Sequence, residues 1–190
     1  MVATDPGPHG RRVVDRSRLL GFSALVWEDL RGPDGALGLV AKALFDPGFH
    51  LLVSHRITHR LARSCLRFLN LPLMWWQYVL FGCYISPQAM IGRRVRFPHP
   101  IGIVIGETAV VGDDAVIFQQ VTLGNHGRME FDKEYPVIGA RTRICAGAKV
   151  IGGIRVGAGA TVGANAVVRC DVPDGALAVG VPAQIRRRRP

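Results

Sequence analysis

Two short segments of this chain concentrate the side chains that could do acid–base chemistry. Phe97-Pro98-His99-Pro100-Ile101-Gly102 carries one imidazole, and Asn125-His126-Gly127-Arg128-Met129-Glu130-Phe131-Asp132-Lys133-Glu134-Tyr135-Pro136 carries a second among carboxylates, cations and a phenol. A neutral imidazole, with a reference pKa of about 6.5, can take a proton from a hydroxyl near neutrality. An isolated histidine is more often structural, so the frame around these two has to decide. Other chemistries find less support. Cys65, Cys83, Cys145 and Cys170 form no CxxC pair and follow no secretory signal, as expected of reduced thiols in a cytoplasmic protein. No group of residues has metal-ligand spacing, so no metal is expected.

Both segments interrupt a repeat. Ile85, Ile91 and Phe97, then Ile105, Val111, Ile117 and Leu123, then Ile138, Ile144, Val150, Val156, Val162 and Val168 recur every six residues within each block. Glycine follows the anchor at 92, 106, 112, 124, 139, 157 and 163. A small or β-branched side chain sits four residues after it, at Ala89, Val95, Ala109, Ala115, Val121, Thr142, Ala148, Ile154, Ala160, Ala166 and Val172. A six-residue period fits neither a helix nor simple alternation. It predicts short strands that turn a corner every hexapeptide, three hexapeptides to a triangular coil. Anchors should point inward, small residues should let the chain pack at corners, and the glycines should supply corner dihedrals with positive φ. Phe97 to Ile105 is two residues too long and Leu123 to Ile138 nine too long. Repeat scaffolds keep such insertions on a binding face.

The elements that carry this coil follow from length and composition. A chain of 190 residues with 48% hydrophobic and 20% charged residues holds about one ordinary domain and is not disordered. Twenty-three glycines without a strict triplet exclude collagen. The net charge of +10 comes from arginine, with clusters at Arg11, Arg12, Arg16, Arg18 and Arg186 to Arg189. Nucleic acid, an anionic membrane, a phosphorylated small molecule or plain solvation could each account for it. No interleaved aromatics accompany the arginines, so no nucleic-acid partner is expected. Phe68 to Gly92 lacks charge over a bilayer-spanning length, but Asn70, Pro72, Gln77, Ser86, Pro87 and Gln88 argue against a transmembrane segment. Phe49 to Leu69 has helical periodicity, with Leu51, Ile57, Leu61, Cys65 and Phe68 on one stripe and Arg56, Arg60, Arg63 and Arg67 elsewhere. Such a helix either packs its stripe on a neighbouring unit or lies on anionic lipid. The expected organisation is a basic terminus over 1–18, a helical segment over 19–81, the repeat domain over 82–182 with its inserted loop at 125–136, and a basic tail over 183–190.

The run from His99 to Ala109, His-Pro-Ile-Gly-Ile-Val-Ile-Gly-Glu-Thr-Ala, resembles the signature of serine O-acetyltransferases and their hexapeptide-repeat relatives. So do Gln119-Gln120-Val121-Thr122-Leu123-Gly124, Ala146-Gly147-Ala148-Lys149-Val150-Ile151-Gly152 and Gly180-Val181-Pro182-Ala183. The match covers roughly Gly82 to Ile185. The resemblance implies a mainly β fold, a left-handed parallel β-helix preceded by a short α-helical segment. It also implies an acetyl-CoA-dependent O-acetyltransferase, with acetyl-CoA bound between neighbouring prisms of a homotrimer. It places the catalytic base at His99, and it puts Gly124, Ala146 and Ala164 along the pantetheine arm. Arg169, Arg186 and Arg187 are then expected near the CoA phosphates, and Tyr84, His126 and Tyr135 near the acceptor. Asp113-Asp114 is expected to be only a turn.

Departures from the family pattern refine the expectation. Where serine acetyltransferases read Gly-Ile-Asp-Ile-His-Pro, this chain reads Gly82-Cys83-Tyr84-Ile85-Ser86-Pro87. The family Asp-His is Pro98-His99, and its Arg-His-Pro is Glu134-Tyr135-Pro136. The base is kept while the residues that clamp an amino acid are replaced. Glu107 is the candidate to orient His99 in place of the missing Asp. A neutral polyol or ring is then the expected acceptor, with serine itself, as in cysteine biosynthesis, as the alternative. A non-catalytic repeat scaffold is the other function class. A carbonic-anhydrase-like relative would need three clustered histidines that this sequence does not supply.

Overall fold

The computed structural model describes residues 21–30, 35–127 and 134–186. Among the described residues four helices come first: α1 (Phe22–Leu30), α2 (Gly35–Phe45), α3 (Pro47–Leu61) and α4 (Asn70–Phe81), with a 3-10 turn at Arg67–Leu69. Asp46 starts α3 as its N-cap, its carboxylate accepting from Gly48 N and Phe49 N, with Pro47 in the first turn. Gly82, at φ 57°, ends α4 and turns the chain into the first strand.

Fourteen short strands follow among the described residues, and they fall into three walls. Wall 1 stacks β1 (Tyr84–Ile85), β3 (Val104–Ile105), β6 (Thr122–Gly124), β9 (Lys149–Ile151) and β12 (Val167–Val168). Wall 2 stacks β2 (Met90–Ile91), β4 (Val110–Val111), β7 (Val137–Ile138) and β10 (Arg155–Val156). Wall 3 holds β5 (Val116–Ile117), β8 (Arg143–Ile144), β11 (Thr161–Val162), β13 (Leu177–Val179) and β14 (Gln184–Arg186). Every pairing is parallel except β13 with β14, and each strand meets its equivalent in the next coil in register, Ile85 beside Ile105 beside Leu123 beside Val150. This is a left-handed parallel β-helix, as the resemblance implied. All thirteen anchors are at most 2% exposed, so the six-residue period did mark the inside of the prism.

The glycines after the anchors have a different task from the one expected. Positive φ falls two residues further on, at Arg94, Asp114, Gln120, Arg141, Gly147, Gly159 and Asn165. Those corners tolerate several side chains. At 92, 112 and 139 the constraint is space. A Cβ there would lie 2.7 Å from Asp113 N, 2.6 Å from Ala140 N and 2.5 Å from Ala158 N respectively, all in the coil stacked beyond. Gly139→Ala should therefore cost about 1–3 kcal/mol or more through overpacking against backbone. Gly159, with φ +66° and open space around it, should accept Asn at well under that cost, since Asp114 already holds φ 60° at the same corner. Paired denaturation curves check this, and equal destabilisation would contradict it.

The helical unit departs from the expected stripe. Helix α3 stops at Leu61, broken by the turn around Ser64, and its buried face is Leu51, Leu52, His55, Arg56 and Thr58. Ile57, Cys65 and Phe68 are exposed. Arg56 turns inward because acceptors surround it. Its Nε donates to Asp29 Oδ2 at 3.0 Å, and its two other nitrogens reach Ile91 O and Gly92 O of the first coil. Asp29 in turn accepts from Arg94 N at 2.7 Å. Within the expected tail over 183–190, Gln184–Arg186 adds an antiparallel strand to the last coil, and 187–190 lie outside the described residues. Among the described residues no helix is long and apolar enough to cross a membrane.

His55 makes this packing pH-dependent. Burial pushes its pKa well below the ordinary value of 6.5, with Arg56 and His59 adding to the effect against a backbone hydrogen bond at Ala89. Folded His55 stays neutral while the unfolded chain binds a proton below about pH 6.5, so stability present above that pH is lost as pH falls through it. The melting midpoint should drop between pH 7 and 5, and His55→Leu should flatten that part of the profile. An unchanged slope in the variant would contradict the assignment.

Candidate active site

The two insertions lie at opposite edges of wall 1. One edge, where wall 3 turns into wall 1, collects residues 98–103, 118–121, 145–148 and 163–166. The other, where wall 1 turns into wall 2, collects 106–109, residues 125–127 and 134–136 of the inserted loop, 152–154 and 169–171.

At the first edge the two extra residues push Pro98 and His99 out of the coil, and both are exposed. The segment is pinned from behind. Gly48 of α3 abuts Phe97 O with no room for a side chain. The Cys83 thiol lies 3.2 Å from Pro100 O, Ile101 N donates to His99 O at 2.8 Å, and Gln120 N donates to Ile101 O at 2.9 Å. Burial raises the Cys83 thiol pKa, against nearby backbone hydrogen bonds at Ile103 and Gly102, so it stays a neutral donor. The His99 ring is 6.5 Å from that of Phe118, tilted by 46°. Among the described residues no side chain hydrogen-bonds its imidazole.

Along the same edge runs a ladder that points down the prism axis. Gly147 N donates to Gln119 O and Asn165 N to Ala146 O, so Gln119, Ala146 and Ala164 occupy equivalent corner positions in successive coils. Coils repeat at about 4.8 Å, and two of the three side chains are alanine. Gln119 Oε1 is buried with no hydrogen-bond partner among the described residues. Sequence reasoning quoted Gln119 within a motif but gave it no role. The signal was its phase, two residues after an anchor, like Ala146 and Ala164.

The second edge holds Glu107, Gly124, His126, Tyr135 and Arg169. Here side chains rest on bare glycine backbone. The Tyr135 ring covers Gly106, the His126 ring covers Gly152, and Glu134 covers Gly153, each filling the space a Cβ would take. Gly124 ends β6 without such crowding, its nearest would-be contacts being ordinary at 3.5 Å. Arg169 is exposed.

The expected pairing of Glu107 with His99 is not made within the chain. Residues 103–107 cross the full width of wall 1, roughly 13 Å of extended strand, and leave the carboxylate at the far edge. Tyr84 lies on wall 1 between the edges, 39% exposed. Arg186 sits on wall 3 in β14, exposed. Arg187, Arg128 and Lys133 lie outside the described residues. Asp113 and Asp114 pair with Arg93 and Arg94, at 2.9 and 2.7 Å, and the Arg94 contact pulls the Asp114 carboxyl below its ordinary value. Among the described residues no group of three His, Cys, Asp or Glu could hold a metal ion.

A family profile described as "Bacterial transferase hexapeptide (six repeats)" matches residues 135–170. The chain is 46% identical over 139 residues to serine acetyltransferase of Mycobacterium tuberculosis, covering 73% of this chain and 60% of that protein. It is 42% identical over 141 residues to serine acetyltransferase of Helicobacter pylori strain J99, covering 74% of this chain and 82% of that protein. A solved serine acetyltransferase in complex with CoA aligns with TM-score 0.76 and 39% identity over 87% of this chain and 68% of that one. The chain thus spans about three-fifths of the length of the Mycobacterium relative. With these identities over about three-quarters of its length, the chain belongs to the serine acetyltransferase family of hexapeptide-repeat transferases.

Proposed function

We propose that the protein is an acetyl-CoA-dependent O-acetyltransferase that moves acetyl to a hydroxyl of a small polar acceptor. The observation that carries this reading is the first edge of wall 1, with an exposed imidazole at its head and a narrow ladder of small residues below. That ladder fits an extended pantetheine arm, and the unpartnered Gln119 Oε1 is an acceptor for one of the arm's amide N–H groups. His99 takes the acceptor's hydroxyl proton as its oxygen attacks the thioester carbonyl. The C–O bond forms, the C–S bond breaks, and the thiolate leaves and is protonated. No covalent enzyme intermediate is needed, because the acetyl group already sits on a good leaving group.

The site is incomplete in one chain. Glu107, His126 and Tyr135 lie across wall 1 from His99, so two half-sites join only when the loop edge of one prism meets the His99 edge of another. Val104 and Ile101, 40% and 66% exposed, give that contact apolar surface. We therefore propose a homotrimer with acetyl-CoA and acceptor held between prisms, Arg169, Arg186 and Arg187 near the phosphates, and Glu107 acting on a neighbour's half-site. Light scattering should give about three times 20.7 kDa. A fully active monomer would overturn the shared site. A cytoplasmic location fits the four unpaired cysteines.

A neutral acceptor is favoured by what replaces the amino-acid clamp. Tyr135 lays an aromatic ring over Gly106, and Tyr84 offers a phenol, where a zwitterion would need a fixed carboxylate and a fixed cation. The second reading, L-serine, is favoured by the names of the relatives. Thiol release with L-serine beside a panel of sugars and hydroxylated metabolites separates them. We expect kcat/KM to be greatest for a neutral acceptor. His99→Ala should lower kcat about 10²- to 10⁴-fold with CoA binding and melting temperature unchanged. Preference for L-serine over every other acceptor would overturn the first reading, and undiminished turnover in the variant would remove His99 as the base.

A further inference from the structure

Helix α4 is built inside out. Its two buried residues are the polar Asn70 and Gln77, whereas Leu71, Trp75, Trp76, Tyr78, Val79 and Leu80 are each more than half exposed. At roughly 100° per residue these six sweep about 200° of the helix surface. Leu66 and Phe68, 45% and 63% exposed, extend the patch into the preceding turn. A contiguous apolar surface of this kind marks an interaction site.

The charge around the patch has one sign. From Pro47 to Gly106 the sequence contains no Asp or Glu. Arg63 and Arg67 are exposed beside the helix and form no ion pair among the described residues. The patch therefore combines Trp and Tyr rings, an aliphatic face and a basic rim.

We propose that this face docks on an anionic phospholipid bilayer, with α4 lying in the plane of the interface. Trp75, Trp76 and Tyr78 sit at headgroup depth, where an apolar ring with a polar tip is at home. Arg63 and Arg67 meet the lipid phosphates. At twelve residues the helix is about 18 Å long, well short of the roughly 30 Å of hydrocarbon, so it lies on the membrane rather than crossing it. A second copy of the chain fits the face less well. It would bring an identical arginine rim with no carboxylate to meet it, and the apolar arc is wider than the stripe of about 100° that packs against one neighbour. The inference is independent of the acetyl-transfer reading.

Flotation of the full chain with phosphatidylcholine vesicles, with and without a third of phosphatidylglycerol, tests it. The chain should float with the phosphatidylglycerol vesicles and stay behind with phosphatidylcholine alone. Trp75→Ser with Trp76→Ser should abolish flotation, and Arg63→Gln with Arg67→Gln should weaken partitioning about thirtyfold. Melting temperature and light-scattering mass without vesicles should be unchanged in both variants. Three results would overturn the proposal. The first is no flotation of the parent chain. The second is undiminished flotation of the tryptophan variant, which would trace binding to the charged termini. The third is a fall in the mass of that variant without vesicles, which would assign the face to another copy of the chain.

Discussion

The close approach of successive coils is the constraint on which the rest depends. At the corner after wall 2, backbone nitrogens of one coil stand within 2.5–2.7 Å of where a Cβ would be at 92, 112 and 139 in the coil before. Glycine there lets the parallel ladders close. Inside, one large apolar anchor per wall per coil, Phe97 and otherwise aliphatic residues, fills the prism, so the core has no slack for insertion. Extra residues can leave the coil only at an edge, which is where His99, residues 125–127 and residues 134–136 emerge. The site is thus a by-product of a scaffold that expels whatever does not fit its period.

A second constraint joins the helices to the coil. Arg56 and Asp29 are almost wholly buried, and together they engage Ile91 O, Gly92 O and Arg94 N. Removing either partner would leave a charge buried without compensation, a loss of about 3–5 kcal/mol. The pair also fixes orientation, because a guanidinium fork aimed at two successive carbonyls permits one placement of α3 on the first coil. Gly48 of the same helix then comes to rest on Phe97 O, two residues before His99. His99 is held through a chain of contacts that begins in α1.

Much of this was legible in the sequence, and the rest was hidden for physical reasons. The thirteen anchors were readable because a period of six leaves no other fold. The role of the following glycines was misassigned because sequence shows that a side chain is absent, not whether dihedral or space requires it. Arg56 stood with Arg60, Arg63 and Arg67 off the apolar stripe, and only Asp29, twenty-seven residues away, reveals why it turns inward. Glu107 lies eight residues from His99 in sequence, yet a strand of wall 1 separates them. Gln119 went unassigned because its vacant oxygen exists only once the corner has closed around it.

The ends of the coil are treated differently from its walls. A stack of parallel strands presents open backbone groups at top and bottom, each a template for more of the same. Here the upper end is covered by side chains, Arg56 on Ile91 O and Gly92 O and His59 on Pro87 O at 2.7 Å. The lower end is covered by β14 running antiparallel on β13, with Ala183 N donating to Val167 O. An antiparallel last strand offers the wrong pattern for another parallel coil. Growth of parallel strands along the axis is therefore blocked at both described ends, and the coil is a finite object rather than a segment of fibre.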